Sequence, residues 1–275
     1  MKIRRYLTTA ALFVVTSLLA LFWLFPLYWA VKTSLVSESQ TIARPPSWFP
    51  AHITFAAFRN VLENSPIVIW YINSIVTGLI ITVATLLLSA MCAYALSQLR
   101  FKGRSILFWL VLAGFMIPLE ANAIPLYMLL NRFGLVNSYA GIILPQLAFP
   151  AAVIIYKRFF DDVPQDFRDA ARLDGANDFR ILFQVYLPIN WGITWAIAII
   201  VFIVAWNNFF WPFVIVTSTD KMTIPVGITQ VQSAYGITYA NQMATAVLAA
   251  VPVVIAYLFF QKRITEGVMS TTALK

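Results

Sequence analysis

The sequence predicts an all-α membrane protein of six transmembrane helices with both termini in the cytoplasm. Three observations carry that prediction. The 275-residue chain is 61% hydrophobic and only 11% charged, with a mean hydropathy of +0.80. Soluble domains hold about 45–50% apolar and about 25% charged residues, so this chain has too few polar side chains to clothe a water-soluble globule. Six apolar stretches, about 9–31, 68–96, 106–130, 138–159, 189–216 and 242–261, each reach the ~20 residues a helix needs to cross about 30 Å of hydrocarbon. Finally, Lys and Arg are unevenly spread. With the N-terminus inside, only Lys32, Arg44, Arg59, Arg132 and Lys221 of the 19 basic residues fall outside. The inner set is Lys2, Arg4, Arg5, Arg100, Lys102, Arg104, Lys157, Arg158, Arg168, Arg172, Arg180, Lys262, Arg263 and Lys275, and such a bias marks the cytoplasmic side. Isolated strands cannot span lipid with unpaired backbone groups. A soluble enzyme, a disordered scaffold and a disulfide-stapled secreted module are all excluded, and no sharp internal repeat is visible.

The first stretch follows Lys2, Arg4 and Arg5, as a secretory signal would. Its apolar run extends through Phe25-Pro26-Leu27-Tyr28 to Val31 with no obvious small-residue cleavage site, so it reads as an uncleaved span. The outer loop, about 32–67, contains Pro45-Pro46-Ser47-Trp48-Phe49-Pro50, an extended or turned segment with aromatics suited to headgroup level. The second stretch holds Cys92, the single cysteine, which cannot form an internal disulfide.

The third stretch places Glu120 and Asn122 between Pro118 and Pro125. An ionised carboxylate at the bilayer centre costs roughly 2.5–3.5 kcal/mol on insertion scales. Glu120 should therefore face the bundle interior, a cavity or a partner, and broken helices often line transport sites. The plainer alternative is a carboxylate that hydrogen-bonds freed backbone groups and touches no substrate. Gln146, between Pro145 and Pro150 in the fourth stretch, follows the same logic. The fifth stretch ends Trp206-Asn207-Asn208-Phe209-Phe210-Trp211-Pro212. Aromatic rings beside amides suit the apolar faces and hydroxyl rims of sugars; the plainer alternative is an interfacial aromatic belt or ordinary packing. Spans two and three carry no Lys or Arg, which favours a neutral substrate over a phosphorylated or sulfonated one.

The inner loop, 160–188, concentrates charge: Asp161, Asp162, Asp166, Asp169, Asp174 and Asp178 with Arg168, Arg172 and Arg180. Gln165 to Leu173 lacks Gly and Pro and predicts a short helix, in which Ala170 and Ala171 permit close approach of another surface. Asp174-Gly175 predicts a turn, since glycine takes positive φ at little cost, and Ala176 follows it. Asn177 is placed to cap a second short helix, with Asp178 near its positive end. In that helix Phe179, Leu182 and Phe183 fall on one apolar face. Pro188 suits the first turn of the next span. The result is a helix–turn–helix across the cytoplasmic face.

The spacing of this loop resembles the EAA motif of ABC importer permeases, Glu-Ala-Ala-x3-Gly-x9-Ile-x-Leu-Pro. Here it reads Asp169-Ala170-Ala171, Gly175, Val185 and Leu187-Pro188, with Asp for Glu and Val for Ile. The likeness extends over almost the whole chain, through Phe25-Pro26-Leu27-Tyr28, Asn73-Ser74, Ala93-Tyr94-Ala95-Leu96, Met116-Ile117-Pro118, Gly134-Leu135-x-Asn137-Ser138, Trp206-Asn207-Asn208 and Gln261-Lys262-Arg263. It is closest in character to the second permease subunit of the maltose- and glycerol-phosphate-type carbohydrate importers. The resemblance implies the type I ABC importer permease fold as a single transmembrane domain over 1–275, with a core at about 68–262. It implies a heterodimer with a similar second permease subunit, two ATPase subunits that bind ATP and Mg, and a sugar-binding protein outside the cytoplasmic (inner) membrane of a bacterium. It also implies that 160–188 is the coupling-helix loop, with Asp169, Ala170, Ala171, Asp174, Gly175 and Ala176 as the ATPase-coupling set. Glu120, Asn122, Gln146, Trp206, Asn207 and Asn208 remain the substrate-pathway candidates.

No phosphate-binding loop of the G-x-x-x-x-G-K-[ST] type occurs, as expected if ATP hydrolysis belongs to separate chains and this subunit is non-catalytic with no cofactor or metal of its own. A proton-coupled secondary carrier using Glu120 is the competing reading. A membrane enzyme has little to build on: His52 is the sole histidine, and no H-E-x-x-H, Ser–His or Cys–His pair is present.

Overall fold

A computed structural model describes residues 2–231 and 238–270. Lys275, one of the predicted inner cations, lies outside the described residues. Among those residues the chain is helical throughout, with no strand. It divides into two compact units, one comprising 1–67 and 228–252, the other 68–227 and 253–275.

The first unit is built on α1 (Lys2–Ser34), whose segment Thr9–Ser34 is long and apolar enough to cross a membrane. The Pro-rich loop folds back on it. Phe25, Trp29 and Trp48 form an aromatic cluster with centroids 5.9–6.1 Å apart, and the Tyr28 hydroxyl donates to the Trp48 carbonyl. Lys32 is buried with its ammonium 4.7 Å from the Trp29 ring centre, a cation–π contact. After α2 (Ala56–Asn64) the chain leaves this unit. Glu38 accepts from the backbone amides of Tyr239 at 2.8 Å and Ala240 at 2.9 Å. These are the first amides of a later helix of the same unit, where a carboxylate offsets the positive helix end.

The second unit is organised around α3 (Ile67–Gln98), 32 residues and about 48 Å long. The predicted spans three, four and five are not continuous. Span three divides into α4 (Arg104–Met116) and α5 (Ala123–Arg132), bent by 90°; Pro118 forces Ile117 out of helical geometry. Span four divides into α6 (Tyr139–Leu147) and α7 (Pro150–Asp161), bent by 42°. Span five ends its first helix at Asn207, because Pro212 has no N–H to donate back to Asn208.

The inner loop forms α8 (Gln165–Leu173) and α9 (Asp178–Ile189), and α10 (Trp191–Asn207) leaves α9 at 87°. α11 (Phe210–Ile215), α12 (Ile224–Val231) and α13 (Tyr239–Ser270) complete the chain. By length and composition α1 and α3 can each cross a membrane alone, and the three bent pairs reach that length only together.

At the Trp70 end of α3 a polar knot holds the loop between α11 and α12. Asn73 donates to the carbonyls of Asp220 and Met222, both at 2.8 Å, and accepts from the Tyr139 hydroxyl at 2.8 Å. Ser74 accepts from the Ile224 amide, and the Trp70 indole donates to the Thr219 carbonyl. Gly227 lies flat against the Trp70 ring, where any β-carbon would overlap the indole. Gly227→Ala should therefore overpack this joint by about 1–3 kcal/mol, read as a lowered thermal midpoint of the detergent-solubilised protein; an unchanged midpoint would show that α12 is free to shift.

Candidate functional site

Two regions carry the sequence-predicted residues. The first is the elbow formed by α8 and α9. α8 ends in a Schellman turn: the Ala176 amide donates to Ala171 at 3.0 Å and the Gly175 amide to Arg172 at 3.0 Å. Gly175 takes φ +79° with open space around it, so backbone conformation rather than crowding requires the glycine. Asn177 caps α9 by accepting from the Arg180 amide at 2.9 Å.

The faces of the elbow differ sharply. Asp169, Ala170, Asp174 and Gly175 are exposed, and Leu173 is 90% and Phe167 52% exposed. Leu173 and Phe167 thus stand in water beside acids on a charged loop. Ala171 and Ala176 instead pack against the protein's own core. The apolar face predicted for α9 needs correction. Phe179 and Phe183 are exposed; Ile181, Leu182 and Tyr186 are buried. α9 contains a π turn at Leu182–Tyr186, which widens the helix and keeps Leu182, Tyr186 and Leu187 on one side. Pro188 closes α9 rather than opening the next span, and Asn190 makes the corner by donating its amide to the Tyr186 carbonyl at 2.9 Å.

Beneath the elbow lies an aromatic core. Tyr94 of α3, Tyr156 and Phe160 of α7 and Tyr186 of α9 are at most 3% exposed, with ring centres 5.2–5.5 Å apart. Burial pushes the Tyr186 phenol above its ordinary pKa.

The second region is a cleft of about 480 Å³ between the helix breaks. Glu120 comes from the turn between α4 and α5, Gln146 and Phe149 from the bend between α6 and α7, and Asn207, Asn208, Phe209 and Phe210 from the break after α10. Non-helical backbone at membrane depth is tolerated where it lines a cavity. Asn208 donates to Gln146 at 2.8 Å, and Gln146 donates to the Ile142 carbonyl at 2.9 Å. Asn207 is tied only to its own helix, through the Ile203 carbonyl at 2.9 Å. Glu120 is the one charged side chain among the described lining residues.

Four of the six pathway candidates thus meet. Asn122 is exposed and lines no part of this cleft. Trp206 is corrected to a packing residue: it is 3% exposed, between Tyr71 and Phe202, because the helix turns its indole away from the face that carries Asn207. Phe149 was missed; its place directly before Pro150, which bars it from helical geometry, was the available signal.

The family model described as "Binding-protein-dependent transport system inner membrane component" matches residues 85–269, a segment that includes both the elbow and the cleft. The chain belongs to this family. The permease is 35% identical over 253 residues to the arabinooligosaccharides transport system permease protein of Bacillus subtilis (strain 168), covering 91% of this chain and 90% of that one. It is 34% identical to the diacetylchitobiose uptake system permease protein of Streptomyces coelicolor, covering 90% and 83% respectively. Among solved structures it is similar to a bacterial ABC transporter involved in the import of the acidic polysaccharide alginate, with TM-score 0.82, 26% identity, and 90% and 93% of the two chains covered. Family membership favours the permease over the proton-coupled carrier.

Trp206→Ala should cost the permease about 3–5 kcal/mol as a core truncation, read as loss of folded protein from membranes. Asn207→Ala should leave folded yield unchanged, since its amide bonds only within its own helix; equal losses in both variants would contradict this division.

Proposed function

We propose that this permease is the second membrane subunit of an ATP-driven, binding-protein-dependent carbohydrate importer in a bacterial inner membrane. In this reading 1–275 form one transmembrane domain with its core at about 68–262. Six crossings are made by α1, α3, the α4–α5 pair, the α6–α7 pair, α10 continued by α11, and α13, with both termini in the cytoplasm. α9 carries Asp178 and Arg180 and meets α10 at 87°, which suits a helix lying across the cytoplasmic face rather than crossing. A similar permease subunit completes the pathway, a sugar-binding protein delivers cargo from outside, and two ATPase subunits, which hold ATP and Mg, dock below.

The exposed surface of α8 carries the reading. Leu173 and Phe167 are displayed to water on a loop rich in acids, and burying them against an ATPase gives the helix its partner. Asp169, Ala170 and Asp174 form the rest of this contact. Gly175, Ala171 and Ala176 set its angle. Nucleotide-driven motion of the ATPases then rocks the spans about a central path. The cleft supplies amides, aromatic faces and one carboxylate, a set that suits polyhydroxy cargo. With Glu120 and no cation among its described lining residues, this subunit's side of the path favours a neutral sugar. Oligosaccharide cargo is supported by the relatives named for arabinooligosaccharide and diacetylchitobiose transport.

The test is uptake of labelled arabinooligosaccharide and diacetylchitobiose by membrane vesicles containing the complete system. Uptake of at least one should be stopped by vanadate and survive a protonophore. Leu173→Asp should abolish uptake and co-purification of the ATPase while the permease stays in the membrane. Uptake that fails with the protonophore yet ignores vanadate would overturn the reading.

A further inference from the structure

The elbow is covalently joined only to α7 and α10, yet its strongest polar contacts reach α3. Asp178, at the start of α9, accepts from two donors and pairs with a further cation. The Tyr94 hydroxyl of α3 donates at 3.0 Å. Arg172 of α8 donates at 3.2 Å and 3.5 Å to its two oxygens. Arg168 of α8 stands 3.8 Å away as an ion pair. Arg168 also donates at 2.6 Å to the carbonyl of Gln98, one of the orphan carbonyls at the negative end of α3, where a guanidinium is electrostatically favoured. The Gln98 amide in turn donates to the Phe160 carbonyl of α7 at 3.0 Å.

We infer that Asp178 is a positioning residue for transport: a clamp that locks both limbs of the elbow to α3, so that a push on α8 moves α3 directly rather than only through the aromatic packing beneath the elbow and the chain connections to α7 and α10. This inference rests on the coupling reading proposed above. Charge-assisted bonds are about twice as strong as neutral ones and hold geometry as well as energy. Two such bonds, from Tyr94 and Arg172, and the longer Arg168 ion pair converge on one carboxylate, whose side chain is 40% exposed, while Arg168 is only 16% exposed. Arg168 is therefore the partly desolvated member, and its Nε is buried without a partner. Removing the carboxylate would leave a largely buried guanidinium with only the Gln98 carbonyl to satisfy it, and would cut the polar tie from Tyr94 to the elbow while leaving its ring packed on Tyr186 of α9.

Cys92 lies two residues before Tyr94 on the same helix and lines a separate apolar cleft with Leu88, Leu107 and Phe149. It is the chain's single cysteine and serves as a native reporter of α3. In the assembled transporter, its modification by N-ethylmaleimide, read on the Cys92 peptide by mass spectrometry, should change rate between the nucleotide-free and the ATP–Mg–vanadate-trapped states. Asp178→Asn and Tyr94→Phe should shrink that nucleotide-dependent difference by roughly ten-fold, the weight of losing a charge-assisted hydrogen bond. Asp178→Glu should restore it, and the amount of assembled complex should not change. Tyr94→Phe removes one hydroxyl only, so it reports even if Asp178→Asn folds poorly. A full nucleotide response in both variants overturns the clamp and leaves the coupling reading standing if Leu173→Asp still releases the ATPase. A parent complex whose Cys92 ignores nucleotide overturns the clamp outright.

Discussion

Three helices meet at one buried aromatic joint, and the arrangement of the second unit follows from it. Tyr94, Tyr156, Phe160 and Tyr186 are large, nearly fully buried and edge-packed, and such rings cannot slide past one another without opening voids. The elbow is mounted on this joint. α8 presents its acids and Leu173 outward, while Ala171 and Ala176 seat it on the core beneath. The π turn in α9 is what brings Leu182, Tyr186 and Leu187 to the joint together. A loop that was merely a polar connector would have no reason to bury so much on one side and display Phe167 and Leu173 on the other.

At the other level of the molecule, prolines do the organising. Pro118, Pro150 and Pro212 each deny the helix a hydrogen bond or a helical neighbour. The three resulting breaks supply Glu120, Gln146, Asn207 and Asn208 to one cleft. The polar groups there belong to the breaks themselves: Asn208 both bonds Gln146 and, at 3.3 Å, accepts from the Trp211 amide that restarts the helix. Rigid packing at one end and interrupted helices in the middle suit a body that moves as a unit around a path it helps to line.

What could be read from the sequence was what local chemistry decides. The bounds of α8, the positive φ of Gly175 and the Asn177 cap depend on residues within one turn of each other, and all three are found as expected. What could not be read was set by distant partners. Phe179 and Phe183 fit a regular helical stripe, but the π turn shifts the buried side to Ile181 and Tyr186. Trp206 looked like its neighbour Asn207, and only the positions of Tyr71 and Phe202 show that it packs inward. The breaks of spans three and four were signalled by Pro118, Pro145 and Pro150, whereas the break of span five after Asn207 was not read from Pro212. Asp178 was legible as a helix-end carboxylate; its two donors and its ion-pair partner come from residues 6, 84 and 10 positions away in the chain.

The most direct test of a rigid elbow is a distance. Spin labels at Asp166→Cys on α8 and Lys102→Cys in the turn that follows α3, both exposed positions, in a Cys92→Ala background of the assembled transporter, report the separation between α8 and the inner end of α3 by pulsed electron resonance. One narrow distance, the same without nucleotide and after vanadate trapping, is the result this account predicts. A separation that shifts or broadens with nucleotide would mean that the elbow moves independently of α3, and would contradict it.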